Sequence, residues 1–312
     1  MNSMGINGVV NVYKEKGFTS HDVVAKLRGI FKIKKIGHTG TLDPDAEGVL
    51  PVCIGNATKL CELIMEKDKI YEAELILGKQ TDTQDISGEI LNQSDNYTRL
   101  TDDVIRETIM SFEGEYDQIP PMYSALKVNG KKLYEYAREG IEIERKKRKV
   151  NIYGIEILSI ELPIIKISVH CSKGTYIRTL CNDIGEKLGV YGCMGKLLRT
   201  KTGKFDLGES HNLAEIEEIV SNDKLSDSGI LIPVDEVLAD YNKLFIDEKF
   251  ERLLMNGNVL TKKAFIMENN QNKPDFDGDG EMFRIYDSSG RFMAVYKYCR
   301  DTNILKPEKM FM

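Results

Sequence analysis

The sequence predicts an α+β protein that carries a smaller, β-rich unit at its C-terminal end. Strand-like and helix-like segments follow one another irregularly through the first 210 residues, without the strand–helix–strand rhythm of a parallel sheet. Beyond about residue 240, short apolar strands recur around turns rich in Gly and Asp. An acidic span, residues 211–250, separates the two parts with 3 basic and 10 acidic residues. We expect this span to be mostly helical, and residues 1–235 and 240–312 to form two domains.

Hydrophobic periodicity predicts the elements of the first domain in order. Thr19 or Ser20 can cap a helix whose apolar side chains recur at helical spacing up to Phe31. Alternation from Tyr71 to Leu77, with Ile76 as its exception, predicts a strand with one mainly covered face. The predicted strands are residues 9–13, 49–54, 71–77, 150–158 and 164–171, and in the tail 283–286 and 292–298; the predicted helices are about 20–31, 57–65, 102–112 and 175–188.

The composition is that of a globular protein without a membrane span. Of 312 residues, 41% are hydrophobic and 29% charged, and no apolar run approaches the roughly 20 residues that a membrane helix needs. Residues 1–5 lack the basic-then-apolar layout of a signal peptide. The six cysteines form no Cys-x-x-Cys pair, and the four histidines show no metal-ligand spacing. We expect a cytoplasmic protein with free thiols and no metal, and nothing in the sequence requires more than a monomer.

The net charge of −6 conceals an uneven distribution. Residues 121–210 hold 17 basic and 10 acidic residues, whereas residues 211–250 carry a charge of −7. A basic face and an acidic segment that are separated along the chain can coexist with an acidic total. The charge therefore does not exclude a nucleic-acid partner.

The segment from Gly37 to Pro51 places one acidic side chain, Asp43, among residues that form turns. Three glycines and two prolines constrain its backbone, and His38 lies five residues before Asp43. Such a loop can hold a carboxylate rigidly at a surface cleft, although a structural turn gives the same pattern.

Three other segments combine polar and aromatic residues in ordered surroundings. Tyr71 opens a strand after Lys69, and residues 118–127, Gln-Ile-Pro-Pro-Met-Tyr-Ser-Ala-Leu-Lys, form a rigid extended stretch. Arg178 follows a strand end and enters a helix, where the helix N-terminus favours anions. Taken singly, these features are also typical of a core tyrosine, a turn and a surface salt bridge.

Together, the four segments resemble one family. Gly-His-Thr-Gly-Thr-Leu-Asp-Pro, Lys-x-Tyr, Pro-Pro-x-Tyr-Ser-Ala-x-Lys and Ser-Lys-Gly-Thr-Tyr-Ile-Arg occur in the order and spacing of the bacterial tRNA pseudouridine-55 synthases, over about residues 5–210. The resemblance implies a pseudouridine synthase domain with a mixed, largely antiparallel sheet and a PUA-like RNA-binding module in the tail. It also implies isomerisation of one uridine in the T-arm loop of tRNA, without a cofactor.

The resemblance implies a role for each matched residue. Asp43 corresponds to the catalytic aspartate, Tyr71 to the tyrosine that stacks on the target base, and Arg178 to the arginine that pairs with the aspartate. Whether Asp43 attacks the sugar or the uracil ring, and whether Tyr71 also removes a proton, stays open. The remaining substrate contacts implied are His38, which helps to extrude the base, and Tyr176 and Leu197, which line the uracil pocket.

Electrostatics favours these roles. Burial alone raises the pKa of a carboxylate, whereas a guanidinium about 4 Å away favours the ionised form by roughly 4 kcal/mol at an effective dielectric near 20.

The segment before Arg199-Thr200 departs from the family, since Leu198 stands where a second arginine is usual. The basic residues expected to contact RNA phosphates are Lys32, Lys34, Lys35, Lys127, Lys131, Lys132, Arg145, Lys146, Lys147 and Arg148.

Two other functions are compatible with parts of the pattern. A glycoside hydrolase would pair Asp43 with Asp45 or Glu47, but carboxyls in one short loop seldom face each other across a sugar. A protein that only binds or folds RNA would keep the catalytic residues as relics. Asp43, Tyr71 and Arg178 are all present, which argues against a loss of activity and leaves a second, non-catalytic folding role open. We therefore expect the isomerase.

Overall fold

The computed structural model describes residues 6–266, 276 and 278–312. Residues 1–5, which bear on the signal-peptide expectation, and Asp277 of the Gly/Asp-rich turn lie outside them. The strands, in chain order, are β1 Gly8–Lys14, β2 Ile36–His38, β3 Glu47–Ile54, β4 Lys69–Leu77, β5 Lys79–Thr81, β6 Ile90–Gln93, β7 Gly114–Gln118, β8 Lys127–Val128, β9 Lys131–Lys132, β10 Arg148–Glu161, β11 Ile164–Cys171, β12 Gly192–Thr202, β13 Phe205–Asp206, β14 Leu231–Ile232, β15 Asn242–Ile246, β16 Leu260–Thr261, β17 Phe265–Ile266, β18 Met282–Tyr286, β19 Phe292–Cys299 and β20 Ile304–Met310.

The helices begin and end where the local sequence supplies caps. At the first helix, Thr19 and Asp22 form a reciprocal capping box, and Lys32 ends the helix in the left-handed region at a φ of 58°. None of the helices in the described ranges combines the length and hydropathy that a bilayer crossing requires. The α-helices are α1 Ser20–Phe31, α2 Cys61–Met65, α3 Asp102–Met110, α4 Leu133–Arg138, α5 Ile177–Lys187, α6 Leu213–Ser221, α7 Val234–Val237 and α8 Glu251–Met255.

The first domain is built on one large, mixed sheet. Its strands run in the order β14-β1-β3-β12-β4-β11-β10-β7, with β2 and β13 at the side. Among the strand pairs described for this sheet, β3–β12 is parallel and the others are antiparallel. One apolar cluster packs α3 and α5 on β4, β10 and β11, and another packs α1 and α6 on β1 and β3. The predicted α+β class with a largely antiparallel sheet is confirmed.

The C-terminal unit is a separate β-rich sheet that packs against the first domain. Its order is β16-β20-β19-β18-β15-β17, and it has its own apolar cluster. A further cluster joins the two sheets, because Val9 and Leu60 of the first domain share it with Val295 and Phe311 of the second. Removing the C-terminal sheet would therefore expose apolar surface on the first domain.

The prediction that the acidic span is mostly helical is wrong. Within residues 211–250, α6 is one helix of nine residues and α7 one of four, while β14 pairs with β1 and β15 begins the second sheet. Pairing with distant strands outweighs the helical propensity of the acidic residues here. The helix predicted over residues 57–65 is likewise only partly correct, since a 3₁₀ helix over Gly55–Leu60 precedes the short α2.

Candidate active site

Asp43 lies in the loop between β2 and β3, and the residues that precede it in this loop are anchored by hydrogen bonds. The buried Leu42 exchanges two hydrogen bonds with Ser20 of α1: its N–H donates to the Ser20 Oγ (2.9 Å), and that hydroxyl donates to the Leu42 carbonyl (3.3 Å). The buried Thr39 hydroxyl donates to the Pro51 carbonyl at 3.0 Å. The constraint inferred from the turn-forming residues therefore comes largely from these anchors.

The structure brings Asp43 and Arg178 together. The Arg178 Nε atom lies 3.2 Å from the Asp43 carboxylate, and its Nη1 lies 3.4 Å from the carboxylate of Asp85. Nη2 donates to the Tyr123 carbonyl at 2.8 Å. Arg178 is buried, with 6% of its surface exposed, so its orientation is determined by these partners. One buried cation thus joins two carboxylates.

The pKa of Asp43 is raised despite its cationic partner. Burial is the main cause, and the negative charge of Asp85 adds to it, while Arg178 and Lys14 act in the opposite direction. The attraction by Arg178 that the sequence predicted is present, but burial outweighs it. A more basic carboxylate is a better nucleophile once ionised, provided that the pH is above its pKa.

Tyr71 and Leu197 project from two neighbouring strands. In the β4–β12 pair, Leu197 lies opposite Ala73, and Arg199 lies opposite Tyr71. Burial raises the pKa of Tyr71, although the Arg199 guanidinium opposes this shift. Tyr71 is therefore a neutral phenol at pH 7, suited to stacking on a base and to donating a hydrogen bond.

Arg199 closes the base of the Asp43 loop. Its Nε donates to the Val49 carbonyl at 2.6 Å and its Nη2 to the Gly40 carbonyl at 3.4 Å, and it is 1% exposed. Gly48 has a φ of +104°, and a Cβ atom there would lie 2.2 Å from the Arg199 carbonyl oxygen. Only glycine permits this approach of β3 to β12, which brings the Asp43 loop beside Tyr71.

His38 and Tyr176 flank this arrangement. The His38 Nδ1 accepts a hydrogen bond from the Gly40 N–H at 3.3 Å, and its ring meets that of His21 edge-on, with centroids 5.3 Å apart. Burial, with the nearby His21 and Arg199, lowers the pKa of His38 to about 4, so it is neutral at pH 7. Tyr176 is half-buried directly before α5, and burial raises its pKa.

Lys14 is a buried cation below the Asp43 loop. Its side chain is fully covered, and its Nζ donates to the carbonyls of Glu15 and Pro44, each at 3.1 Å. Burial lowers its pKa to about 8, although Glu47 and Asp43 oppose the shift. Lys14 thus holds the residue next to Asp43 and places positive charge beneath it.

The depressed pKa of Lys14 predicts a pH-dependent cost in stability. Between pH 8 and 10.5 the unfolded chain binds this proton more tightly than the folded chain, so the cost is full below pH 8 and disappears above 10.5. A shift from 10.5 to about 8 corresponds to about 3 kcal/mol at most. We expect the free energy of unfolding of Lys14→Met to exceed that of the wild type more at pH 7 than at pH 10. Urea unfolding of both proteins at both pH values measures this gain in stability. The same gain at pH 7 and pH 10 would show that burial of the charged Lys14 costs no stability.

Asp45 and Glu47 do not form a catalytic pair with Asp43. The Asp45 side chain is 70% exposed and lies 4.0 Å from the Lys16 Nζ. The Glu47 carboxylate accepts a hydrogen bond from the Tyr13 hydroxyl at 3.0 Å. Both carboxylates are therefore engaged elsewhere, and the arrangement of two facing carboxyls that a glycoside hydrolase needs is not formed by them.

The basic residues divide into paired and exposed groups. Residues 119–147 form an insertion between β7 and β10, in which Lys131 pairs with Glu139 at 2.5 Å and Arg145 with Glu142 at 3.3 Å. Lys132 lies 5.3 Å from the Tyr134 ring centroid, and Lys35 donates to the Asn56 side chain. Among the other predicted RNA contacts, the residues that are exposed and form no ion pair within the described chain are Lys32, Lys34, Lys127, Lys146, Lys147 and Arg148.

Sequence reasoning missed three charged residues of this site. The sequence patterns predict no role for Asp85, Lys14 or Arg199. A charged residue that ends or continues an apolar strand, as Lys14 and Arg199 do, is the one signal that the sequence offers for a buried charge.

Known proteins resemble the chain over nearly its whole length. Residues 28–177 match the N-terminal domain of the TruB family pseudouridylate synthases, and residues 178–239 match the tRNA pseudouridylate synthase B C-terminal domain. A Lachnoclostridium phytofermentans protein named tRNA pseudouridine synthase B is 51% identical over 315 residues, which cover 98% of this chain and 100% of that protein. A Clostridium acetobutylicum protein of the same name is 47% identical, with 93% and 95% covered.

The fold agrees with these matches. A chain in the crystal structure of a Cbf5–Nop10–Gar1 complex superimposes with a TM-score of 0.74 and 27% identity, covering 99% of this chain and 86% of that one. A chain of an H/ACA ribonucleoprotein bound to a substrate RNA has the same fold, with a TM-score of 0.71 and 24% identity. The chain belongs to the TruB family of pseudouridylate synthases.

Proposed function

We propose that this protein isomerises the uridine at position 55 in the T-arm loop of tRNA to pseudouridine, with Asp43 as the nucleophile. The relatives that match it over more than nine-tenths of its length are named tRNA pseudouridine synthase B. The observation that carries the assignment of Asp43 is its 3.2 Å contact with the buried Arg178, in a loop held beside Tyr71.

The reaction needs no outside group. The N1–C1′ glycosidic bond breaks, a C5–C1′ bond forms, C5 loses a proton and N1 gains one, so atoms and electrons balance within one nucleotide. Asp43 attacks either the sugar or the uracil ring, and Arg178 favours its ionised form. Because a uridine in a folded loop is stacked, it must be flipped out at a cost of a few kcal/mol, of which stacking on Tyr71 recovers about 1–3 kcal/mol.

The remaining site residues form the walls for the flipped base. Neutral His38 at the end of β2 is suited to occupy the space that the base leaves, because it carries no charge at pH 7. Tyr176 and Leu197 supply apolar surface on either side of the uracil. These are contacts of shape and hydrogen bonding rather than of charge, as recognition of an unstacked base requires.

The tRNA extends over a wider surface than the site. We assign residues 1–235 to the catalytic domain and residues 240–312 to a PUA-like RNA-binding domain, since the latter has a sheet and core of its own. The exposed lysines of the insertion and of the turn after α1 supply the phosphate contacts. The protein acts as a cytoplasmic monomer on tRNA.

Mapping pseudouridine in tRNA tests the proposed function. Cells that lack this protein should carry unmodified uridine at position 55, and expression of the protein should restore pseudouridine there. Unchanged modification at position 55 in those cells, together with no activity of the purified protein on a T-arm stem-loop, would refute the proposal.

Removing charge from the insertion should weaken tRNA binding without slowing the chemical step. Lys146 and Lys147 are exposed and lie far from Asp43 in sequence, so Lys146→Ala/Lys147→Ala should reduce the slope of log binding constant against log salt by about two. The single-turnover rate at saturating enzyme should stay within about twofold. The matched control is Lys166→Ala/Lys224→Ala, two exposed lysines outside the insertion. Equal slopes for the two double variants would remove the insertion from the RNA interface.

A further inference from the structure

The side-chain amide of Gln118 forms two hydrogen bonds with the backbone of one residue, Tyr176. Its Nε2 donates to the Tyr176 carbonyl at 2.9 Å, and its Oε1 accepts from the Tyr176 N–H at 2.8 Å. Gln118 is 1% exposed and ends β7, 58 residues before its partner in the chain. A buried amide satisfied by two such bonds fixes the position of the backbone that it holds.

This backbone is the entry to α5, the helix that carries Arg178. Tyr176 precedes α5 and has no side-chain cap of its own. The first N–H groups of a helix lack partners within the helix, so Gln118 supplies from another strand what a local cap would supply. Arg178 lies two residues further on, in the first turn, where a shift of the entry backbone moves the guanidinium directly.

The same strand end also begins the insertion. Gln118 pairs with Arg148 across β7 and β10, so the insertion leaves and rejoins the sheet at this pair. Five residues after Gln118, the Tyr123 carbonyl accepts from the Arg178 Nη2 at 2.8 Å, and the Tyr123 hydroxyl donates to Asp82 at 3.3 Å. Gln118 thus holds the backbone two residues before Arg178, and Tyr123 holds the Arg178 guanidinium.

We propose that Gln118 is a positioning residue for the isomerisation, which holds the Tyr176–Arg178 turn so that the guanidinium meets Asp43. This inference rests on the proposed function and adds to it a residue that contacts neither substrate nor Asp43. It follows that one buried amide fixes both the start of the insertion, residues 119–147, and the geometry of the Asp43–Arg178 pair.

The test is Gln118→Met, which keeps the length of the side chain and removes both hydrogen bonds. We expect the single-turnover rate on a T-arm stem-loop to fall by about 10-fold to 100-fold, as displacement of a catalytic group does, while the dissociation constant changes by less than about twofold. Since Arg178 lowers the pKa of Asp43, its displacement should also move the acid limb of the rate profile to higher pH. The matched control is Asn11→Leu, which removes another buried amide bond, to the Asp206 carbonyl, and should leave the acid limb in place.

A double-mutant cycle separates positioning from general loss of structure. In a Tyr176→Ala/Arg178→Ala background, Gln118→Met should change the rate by less than about twofold, because both side chains that it positions are absent. Additive effects, or a rate lowered without movement of the acid limb, would overturn the proposal. If Gln118→Met does not fold, hydrogen exchange of the Tyr176 amide in the wild-type protein decides, since free exchange there contradicts the clamp. If the wild-type protein itself showed no activity on the stem-loop, that result would count against the proposed function and not against the role of Gln118.

Discussion

Asp43→Asn is expected to abolish pseudouridine formation while tRNA binding is retained. The substitution keeps the shape of the side chain but removes the negative charge and the nucleophilic oxygen, so the single-turnover rate should fall by about 10⁴-fold or more. Because a carboxylate contributes no phosphate contact, the dissociation constant for a T-arm stem-loop should change by less than about threefold. Rapid-quench quantification of pseudouridine measures the rate, and filter binding measures the affinity.

The neighbouring aspartate provides a matched control for this variant. Asp45→Asn makes the same chemical change two residues along the loop, at an exposed carboxylate that only approaches Lys16. Its rate should stay within about twofold of the wild type, as is usual for an exposed surface substitution. If both variants lose activity equally, the loop needs negative charge in general, and Asp43 has no special role.

Arg178→Ala is expected to have the second largest effect. It removes the cation that joins Asp43 to Asp85 and leaves the negative charge of both carboxylates without that guanidinium. The single-turnover rate should fall by about 10²-fold to 10³-fold, the range for loss of one preorganised electrostatic contact. Single-turnover assays at saturating enzyme measure this rate. The control is Arg291→Ala, which removes an exposed arginine from its pair with the buried Asp287 between β18 and β19.

The pH profile of Arg178→Ala gives the sign of the electrostatic effect. Burial and Asp85 already raise the pKa of Asp43, and Arg178 is the largest factor that lowers it. Without Arg178 the pKa rises further, so the acid limb of the rate should move to higher pH. An acid limb that moves to lower pH, or does not move, would contradict the ion pair as the factor that keeps Asp43 ionised.

Local periodicity predicted most of the first domain, because its elements bury regular apolar faces. The alternation in β4 and the capped face of α1 depend on side chains near in sequence, and the structure has both. The acidic span failed as a prediction for a non-local reason. Leu231–Ile232 is a strand only because β1 offers it an open edge, and Asn242–Ile246 only because β18 lies beside it. Such pairings cannot be seen in a local pattern.

In the candidate site, too, local motifs could be predicted from the sequence and long-range contacts could not. The matched motifs nominated Asp43 and Arg178, which the structure places in contact. The sequence predicts no role for Arg199 or Gln118, because each acts through a distant partner. Arg199 binds carbonyls of the Asp43 loop, and Gln118 binds the Tyr176 backbone. A buried polar side chain is recognisable only once its distant partners are known.

The most direct test of the account uses a T-arm stem-loop that carries tritium at C5 of uridine 55 alone. Conversion to pseudouridine replaces the C5 hydrogen, so the wild-type protein should release the label completely and Asp43→Asn should release none. A second stem-loop, labelled at every uridine except 55, should retain its tritium with both proteins. Release from the second substrate but not the first, or release by Asp43→Asn, would contradict the claim that Asp43 converts uridine 55.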